Sequence, residues 1–401
     1  MRDIFEKFKV LGVDNAPGQE VRKKEDSFNY LGENIQGEPV DFSHGDVDAH
    51  TPIPGSIERF NEGFKIGGAQ AYTEYRGKES IREYLAEKIS EFAGEKLDKD
   101  SIIITPGTQG ALFLAIGANL VVGDKATIIA PDYFANRKLV EFFDGEPKYV
   151  RIKYEDKSDK AGIDFEELEK TFKEGSKLLL FSNPNNPTGV IYSEEEIEKI
   201  ADLADKYDVT VIADELYSRQ IFSGEKFTHM ISKMKNKDKL ITILGPSKTE
   251  SMSGYRLGVG YGSKTIIARM EKLQAIVSLR AAGYSQAVLK DWFSEPENWL
   301  KDRIKDHEEI RDALVEKFNK AGFKTRKTQG GSYVFPMLPE LKISLNDFVN
   351  ALRIQANVIV TPGTEFGEEF TRHIRLNFSQ DKKKAIDAVD RIIALAERYK
   401  K

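Results

Sequence analysis

The 401-residue chain contains no cysteine. That absence excludes disulfides, a thiolate nucleophile and any Cys-ligated metal. Histidine is scarce as well. The five present are scattered, without the HExxH spacing of a zinc-binding helix, so metal catalysis is not expected. No apolar run of about 18 residues occurs, which leaves no candidate membrane-spanning helix. The N-terminal Met-Arg-Asp-Ile-Phe-Glu-Lys-Phe lacks the apolar core of a signal peptide, and a cytoplasmic location is the resulting expectation. There is no charge excess to hold nucleic acid or an anionic membrane: 60 Lys+Arg face 65 Asp+Glu, for a net charge of -5. Any phosphate must therefore be bound locally. GxGxxG is missing after the first strand, which argues against a nicotinamide dehydrogenase. Repeats and low-complexity tracts are missing too.

Hydrophobic content of 40% and charged content of 31% mark a globular protein, and the length suits two domains. From about residue 79 to 245, helix-period and strand-like segments alternate, the pattern of a largely parallel α/β sheet. Ile81, Leu85, Ile89 and Phe92 mark one helix face. Strands are predicted at 101–105, 126–130, 178–181, 209–213 and 240–244, with an apolar helix over 111–120 and an amphipathic one over 193–206. After about residue 290 the texture changes. A charged helix (297–321), short strands near 322–328, 332–337, 357–360 and 373–378, and helices near 345–355 and 381–399 predict an α+β unit. The expected organisation is an N-terminal segment, 1–50, packing with the small domain, a large α/β domain, 51–290, and a small α+β domain, 291–401.

The polar residues of chemical interest stand at the C-terminal ends of the predicted strands, where open α/β sheets place ligands. Lys248 lies in Gly-Pro-Ser-Lys-Thr (245–249), directly after an apolar strand and eight residues before Arg256. It is placed like an amine that forms a Schiff base; taken alone, it also fits a solvated surface lysine. Gly107-Thr108-Gln109-Gly110 joins a strand to a helix, either as an ordinary turn or as a cradle of free amides for a phosphate. In Asn183-Pro-Asn-Asn-Pro-Thr-Gly189 two prolines flank Asn185-Asn186 and fix an amide side chain at a strand end. A plain structural loop is the alternative. Asp214 closes another apolar strand, with Tyr217 just after it. Its carboxylate either caps a following helix or meets a buried cation such as a protonated pyridine. Arg375, in His-Ile-Arg-Leu-Asn-Phe (373–378), is either a surface ion pair or a bidentate carboxylate clamp.

The order of these motifs resembles the class I/II aminotransferases of the aspartate aminotransferase superfamily, fold type I enzymes dependent on pyridoxal 5'-phosphate. The resemblance runs from about residue 40 to 380. It implies a large domain with a mostly parallel seven-stranded sheet and a smaller α+β domain. It further implies that Lys248 carries the cofactor as a Schiff base and moves the substrate proton, that Asp214 keeps the pyridine nitrogen protonated, and that Asn186 and Tyr217 donate to the phenolic oxygen. Tyr133 would stack on the ring, with packing in the core as its other reading. Thr108, Gln109, Ser247 and Arg256 would hold the phosphate, and Tyr72 would reach it from the neighbouring subunit of a homodimer. Gly45, Asn186 and Arg375 would meet the substrate, Arg375 gripping its carboxylate.

Three positions depart from the pattern. Gly245 stands where many relatives have a phosphate-binding serine. Leu279-Arg280 stands where a small hydroxyl and Asn are usual, and Arg280 suits a phosphate contact, a distal substrate carboxylate or plain surface packing. Gln109 stands where one acidic-substrate branch has lysine. The implied activity is transfer of an amino group from an L-amino acid to 2-oxoglutarate or pyruvate. A carbon–sulfur β-lyase or decarboxylase on the same fold is the first alternative. A non-catalytic effector-binding domain is the second, disfavoured because such fusions carry about 70 basic residues in front.

Overall fold

The computed structural model describes residues 3–11, 29–66, 71–155 and 160–401. Its strands are β1 (Val40–Asp41), β2 (Ile102–Pro106), β3 (Lys125–Ala130), β4 (Glu146–Arg151), β5 (Ser176–Ser182), β6 (Thr210–Asp214), β7 (Leu240–Leu244), β8 (Leu257–Gly262), β9 (Tyr333–Val334), β10 (Val358–Ile359), β11 (Thr361–Pro362) and β12 (Ile374–Asn377). β2 to β8 form one seven-stranded sheet in the order β2-β8-β7-β6-β5-β3-β4. β3 to β7 run parallel, and β8 is antiparallel to both of its neighbours, β2 and β7. Helices cover both faces, so β5, β6 and β7 are buried almost throughout. Their continuous apolar runs in the sequence have that physical cause.

Two strands carry no such signal. β4, Glu-Pro-Lys-Tyr-Val-Arg, is an edge strand with only Val150 buried. β8, Leu-Gly-Val-Gly-Tyr-Gly, alternates with glycines, and Gly258 lies against the backbone of Gly107 and Thr108, leaving no room for a side chain. The helix expected over 111–120 spans Gly107–Gly117, so the glycine-rich turn is itself the helix's first turn. The amphipathic helix is Glu194–Tyr207, entered through a capping box of Ser193 and Glu196.

A second core gathers Val40, Phe42, Phe318, Phe348, Leu376 and Ile392 beneath the helices Trp299–Lys320, Leu345–Ala356 and Lys382–Tyr399. β11, β12 and β9 form an antiparallel sheet, and β1 pairs in parallel with β10. Residues 322–328 form no strand there; Lys324 only bridges to Met337. The segment expected to pack with the small domain divides. The helix Ile4–Leu11 lies instead on the large-domain helix Phe134–Phe142, with Phe8 against Phe142 and Lys7 3.7 Å from Asp144. Residues 12–28 lie outside the described residues. No helix among the described residues is long and apolar enough to cross a membrane.

Candidate active site

The antiparallel pairing of β2 with β8 sets Pro106 opposite Leu257 and so brings the turn after β2 against Arg256. Gly107, at φ +76°, starts the helix, and a Cβ there would come within 2.5 Å of the Arg256 guanidinium. Arg256 itself adopts φ +55° and donates to the Ser253 carbonyl at 2.8 Å. Free amides at a helix N-terminus, a guanidinium and the Ser247 hydroxyl thus converge, which suits an anion with several oxygens. Gly245 has a packing reason of its own: a Cβ would sit 2.7 Å from the Thr108 methyl.

The Asn-Pro loop is held from all sides. Asn185 accepts from the Thr188 amide (3.1 Å) and hydroxyl (2.6 Å) and donates to the Pro131 carbonyl at 2.9 Å. The Ser182 hydroxyl accepts from the Asn186 amide at 3.1 Å and donates to Asp132. Burial lifts the Asp132 carboxyl to about 7. Its backbone neighbour Tyr133 donates to the Gln109 side chain at 3.2 Å.

Thr108, Gln109, Tyr133, Asn186, Asp214, Tyr217, Ser247, Lys248 and Arg256 line one cavity of about 190 Å³. Every cofactor residue expected from the sequence within one chain is therefore on its wall. Asp214 faces this cavity from the end of β6. No helix follows it; its carboxylate accepts from the Leu216 amide at 3.1 Å, inside a turn, which removes the helix-cap alternative. Surrounding protein raises its pKa to about 6, and no cationic side chain among the described residues forms an ion pair with it. Tyr217 donates to the Tyr333 hydroxyl at 2.7 Å, and burial holds its phenol well above the ordinary range. Tyr333 is a wall residue that sequence reasoning missed. In Gly-Gly-Ser-Tyr-Val-Phe (330–335) it looks like any strand tyrosine headed for a core.

Gly45 lines an adjoining cavity of about 540 Å³ that shares Ser247 and Lys248. Arg375 is 2% exposed, donates to Asn186 Oδ1 (3.2 Å), the Ser43 carbonyl (3.0 Å) and Thr361 Oγ1 (3.2 Å), and has Tyr333 under its guanidinium at 4.5 Å. All its oxygen partners are neutral. A buried cation without a counterion is costly, so this arrangement calls for an anionic ligand. Tyr72 is on neither wall. It is 75% exposed, with Arg280 at 4.9 Å over its ring, and Arg280 donates to the Thr73 carbonyl at 2.6 Å.

Among the described residues, a carboxylate and a guanidinium without counterions and a lysine without a partner fit a cofactor bearing a pyridinium and a phosphate, together with a carboxylate substrate. Fold and site thus have the features of an enzyme of the cofactor-dependent transferase class. The chain belongs to the aminotransferase class I and II family, whose model matches residues 38–392. It is similar to the crystal structure of an aspartate aminotransferase from Rhodobacter sphaeroides, at 53% identity and TM-score 0.94, covering 100% of both chains. It is 30% identical over 321 residues to the aspartate aminotransferase of Sulfurisphaera tokodaii, spanning 78% of this chain and 79% of that one. It is also 27% identical over 376 residues to aromatic-amino-acid aminotransferase 2 of Thermococcus litoralis, spanning 93% and 94%. The protein is a pyridoxal phosphate-dependent aminotransferase of fold type I, with amino-acid and 2-oxoacid substrates.

Gly258 gives this geometry a direct test. In Gly258→Ala the new Cβ would lie 2.3 Å from the Gly107 carbonyl carbon and 2.4 Å from the Thr108 nitrogen, both backbone atoms that cannot swing aside. The expected outcome is a loss of about 1–3 kcal/mol in stability and weaker cofactor binding, measured by thermal melts with and without pyridoxal phosphate. Equal melting of variant and wild type would contradict the packing.

Proposed function

We propose that the amino donor is an acidic amino acid, L-aspartate in the first instance, and that 2-oxoglutarate is the acceptor. The likeness to the R. sphaeroides aspartate aminotransferase over the whole chain supports this reading. One observation carries the carboxylate chemistry: the buried Arg375, whose oxygen partners are all neutral.

Within this reading each residue has one task. Arg375 grips the substrate α-carboxylate beside Gly45, and Asn186, bonded to Arg375, couples that grip to the cofactor's phenolic oxygen. The helix N-terminus at Thr108 and Gln109, with Ser247 and Arg256, holds the phosphate. Tyr133 would pack on one ring face, and the Tyr217 hydroxyl would turn from Tyr333 to donate to the phenolic oxygen. Asp214 keeps the ring nitrogen protonated. Lys248 would hold the cofactor through its amine, and that amine, once free, would carry the proton taken from the substrate α-carbon. The cofactor, when bound, supplies an electron sink for that proton removal. Holding the α-carboxylate on Arg375 would keep it bound, and so favour proton loss over decarboxylation.

We read the assembly as a homodimer in which Tyr72 reaches the neighbouring phosphate. Tyr72 shares its surface with Arg280 and Tyr75, and the exposed Ile276, Val277 and Leu279 lie in the chain segment leading to Arg280. Apolar surface of this kind calls for a partner. The domain limits 51–290 and 291–401 and a cytoplasmic location complete the proposal.

The donor assignment predicts that the visible band of the loaded enzyme disappears when L-aspartate is added and returns with 2-oxoglutarate. L-Alanine and aromatic amino acids are expected to act at least about tenfold more slowly in kcat/KM. Faster conversion with a neutral donor would overturn the assignment. Pyruvate and ammonia formed without any acceptor would instead support the lyase reading.

A further inference from the structure

An acidic donor presents a second carboxylate, and several cations near the site are already committed or lie elsewhere. Lys384 on the wall of the larger cavity is 2.9 Å from Glu38. Arg280 is held by the Thr73 carbonyl and the rings of Tyr72 and Tyr75, outside both cavities of its own chain. Residue 109 is a neutral glutamine accepting from Tyr133. His44 is differently placed. It lines the same cavity as Gly45 and Lys248, and its side chain is 63% exposed.

We propose that His44 is the specificity-determining residue that holds the side-chain carboxylate of a dicarboxylic substrate, a step that rests on the acidic-donor reading above. The segment carrying it is fixed at both ends. The Ser43 carbonyl accepts from Arg375 at 3.0 Å, and Gly45 lies so close to Ser379 that a Cβ would stand 3.2 Å from the serine Cβ. His44 is therefore one residue from a contact of the α-carboxylate clamp, a short reach for a four- or five-carbon diacid. Its Nδ1 donates to the Gly45 carbonyl at 3.0 Å. Nε2 faces Asp41 Oδ2 at 3.5 Å, a long ion pair on a ring that is 63% exposed, so an incoming carboxylate would share the imidazolium with Asp41 rather than find it free.

The pairing with Asp41 raises the imidazole to about 9 and keeps it cationic at neutral pH. Asp41, Asp46 and Asp48 also line this wall and stand against His44, Lys248 and Lys384; Asp41 accepts from the Ser43 amide, and Asp46 from the amides of Asp48 and Ala49. The wall also carries the Ser251 and Ser253 hydroxyls.

The test uses the loaded enzyme, with maleate as a non-reacting diacid whose binding is followed by calorimetry, alongside steady-state kinetics with L-aspartate and L-alanine. In His44→Gln, maleate affinity and the aspartate-to-alanine ratio of kcat/KM are expected to fall roughly five- to tenfold. The loss should appear in KM, with kcat held within about twofold. His44→Lys restores both quantities, because charge rather than ring shape is required. Unchanged maleate binding and ratio in His44→Gln, or an equal loss for alanine, overturns the assignment while leaving the acidic-donor reading intact. A wild-type enzyme that neither binds maleate nor uses aspartate overturns both.

Discussion

Lys248→Ala is expected to lose more than about 10⁴-fold in turnover while still binding pyridoxal phosphate noncovalently. Lys248 follows β7 at the junction of the two cavities, the position from which one amine can serve both cofactor and substrate. No hydrogen bond or ion pair fixes its amine among the described residues, so it is free to bond covalently. The groups assigned to the phosphate and ring nitrogen, Ser247, Arg256, the helix at Gly107 and Asp214, stand on other atoms and survive the substitution. Lys248→Arg keeps the positive charge but not the nucleophile and is expected to be equally inactive, which separates electrostatics from covalent chemistry. Kinetics and equilibrium dialysis against the cofactor check both variants. Near-wild-type turnover in either would remove Lys248 from the mechanism.

Much of this site can be read from the sequence because its residues sit where chain punctuation is strongest. Lys248, Asp214 and Asn186 follow apolar strands that end abruptly in Pro, Gly or charged residues, and parallel sheets buried on both faces produce such strands. Other features are written in tertiary contacts and leave no local trace. β8 is half glycine because Gly258 must pass over the Gly107–Thr108 backbone, and those glycines erase the apolar pattern. β4 lies at a sheet edge and is mostly exposed. Tyr333 resembles a core residue until the fold sets its hydroxyl against Tyr217. His44 sits in Asp-Phe-Ser-His-Gly-Asp, where only its place next to Ser43, a partner of Arg375, and on one cavity wall with Lys248 gives it meaning. The helix Ile4–Leu11 went to the wrong neighbour for a related reason. Its amphipathic pattern specifies a buried face but not the partner that covers it.

Asp214→Asn is expected to reduce kcat/KM on the order of 10³-fold and, in the cofactor-free protein, to increase stability. Both effects follow from one unpaired buried carboxylate. Burial raises its pKa from 3.8 to about 6, so between those pH values the folded protein holds a proton that the unfolded chain has released. The contribution of Asp214 to the stability of the cofactor-free enzyme therefore declines as pH rises through that window, by about 3 kcal/mol in all at neutral pH. Asparagine removes the titration and can still accept from the Leu216 amide, the one hydrogen bond that the Asp214 side chain makes among the described residues. Urea denaturation without cofactor should find the variant more stable at pH 7.5, with the advantage vanishing towards pH 4. Adding pyridoxal phosphate should reverse the order, because a protonated ring nitrogen gives the carboxylate the counterion it lacks and gives the amide nothing comparable. Retention of wild-type turnover, or a stability difference between variant and wild type that is the same at pH 4 and 7.5, would show that Asp214 is not the charge that the cofactor neutralises.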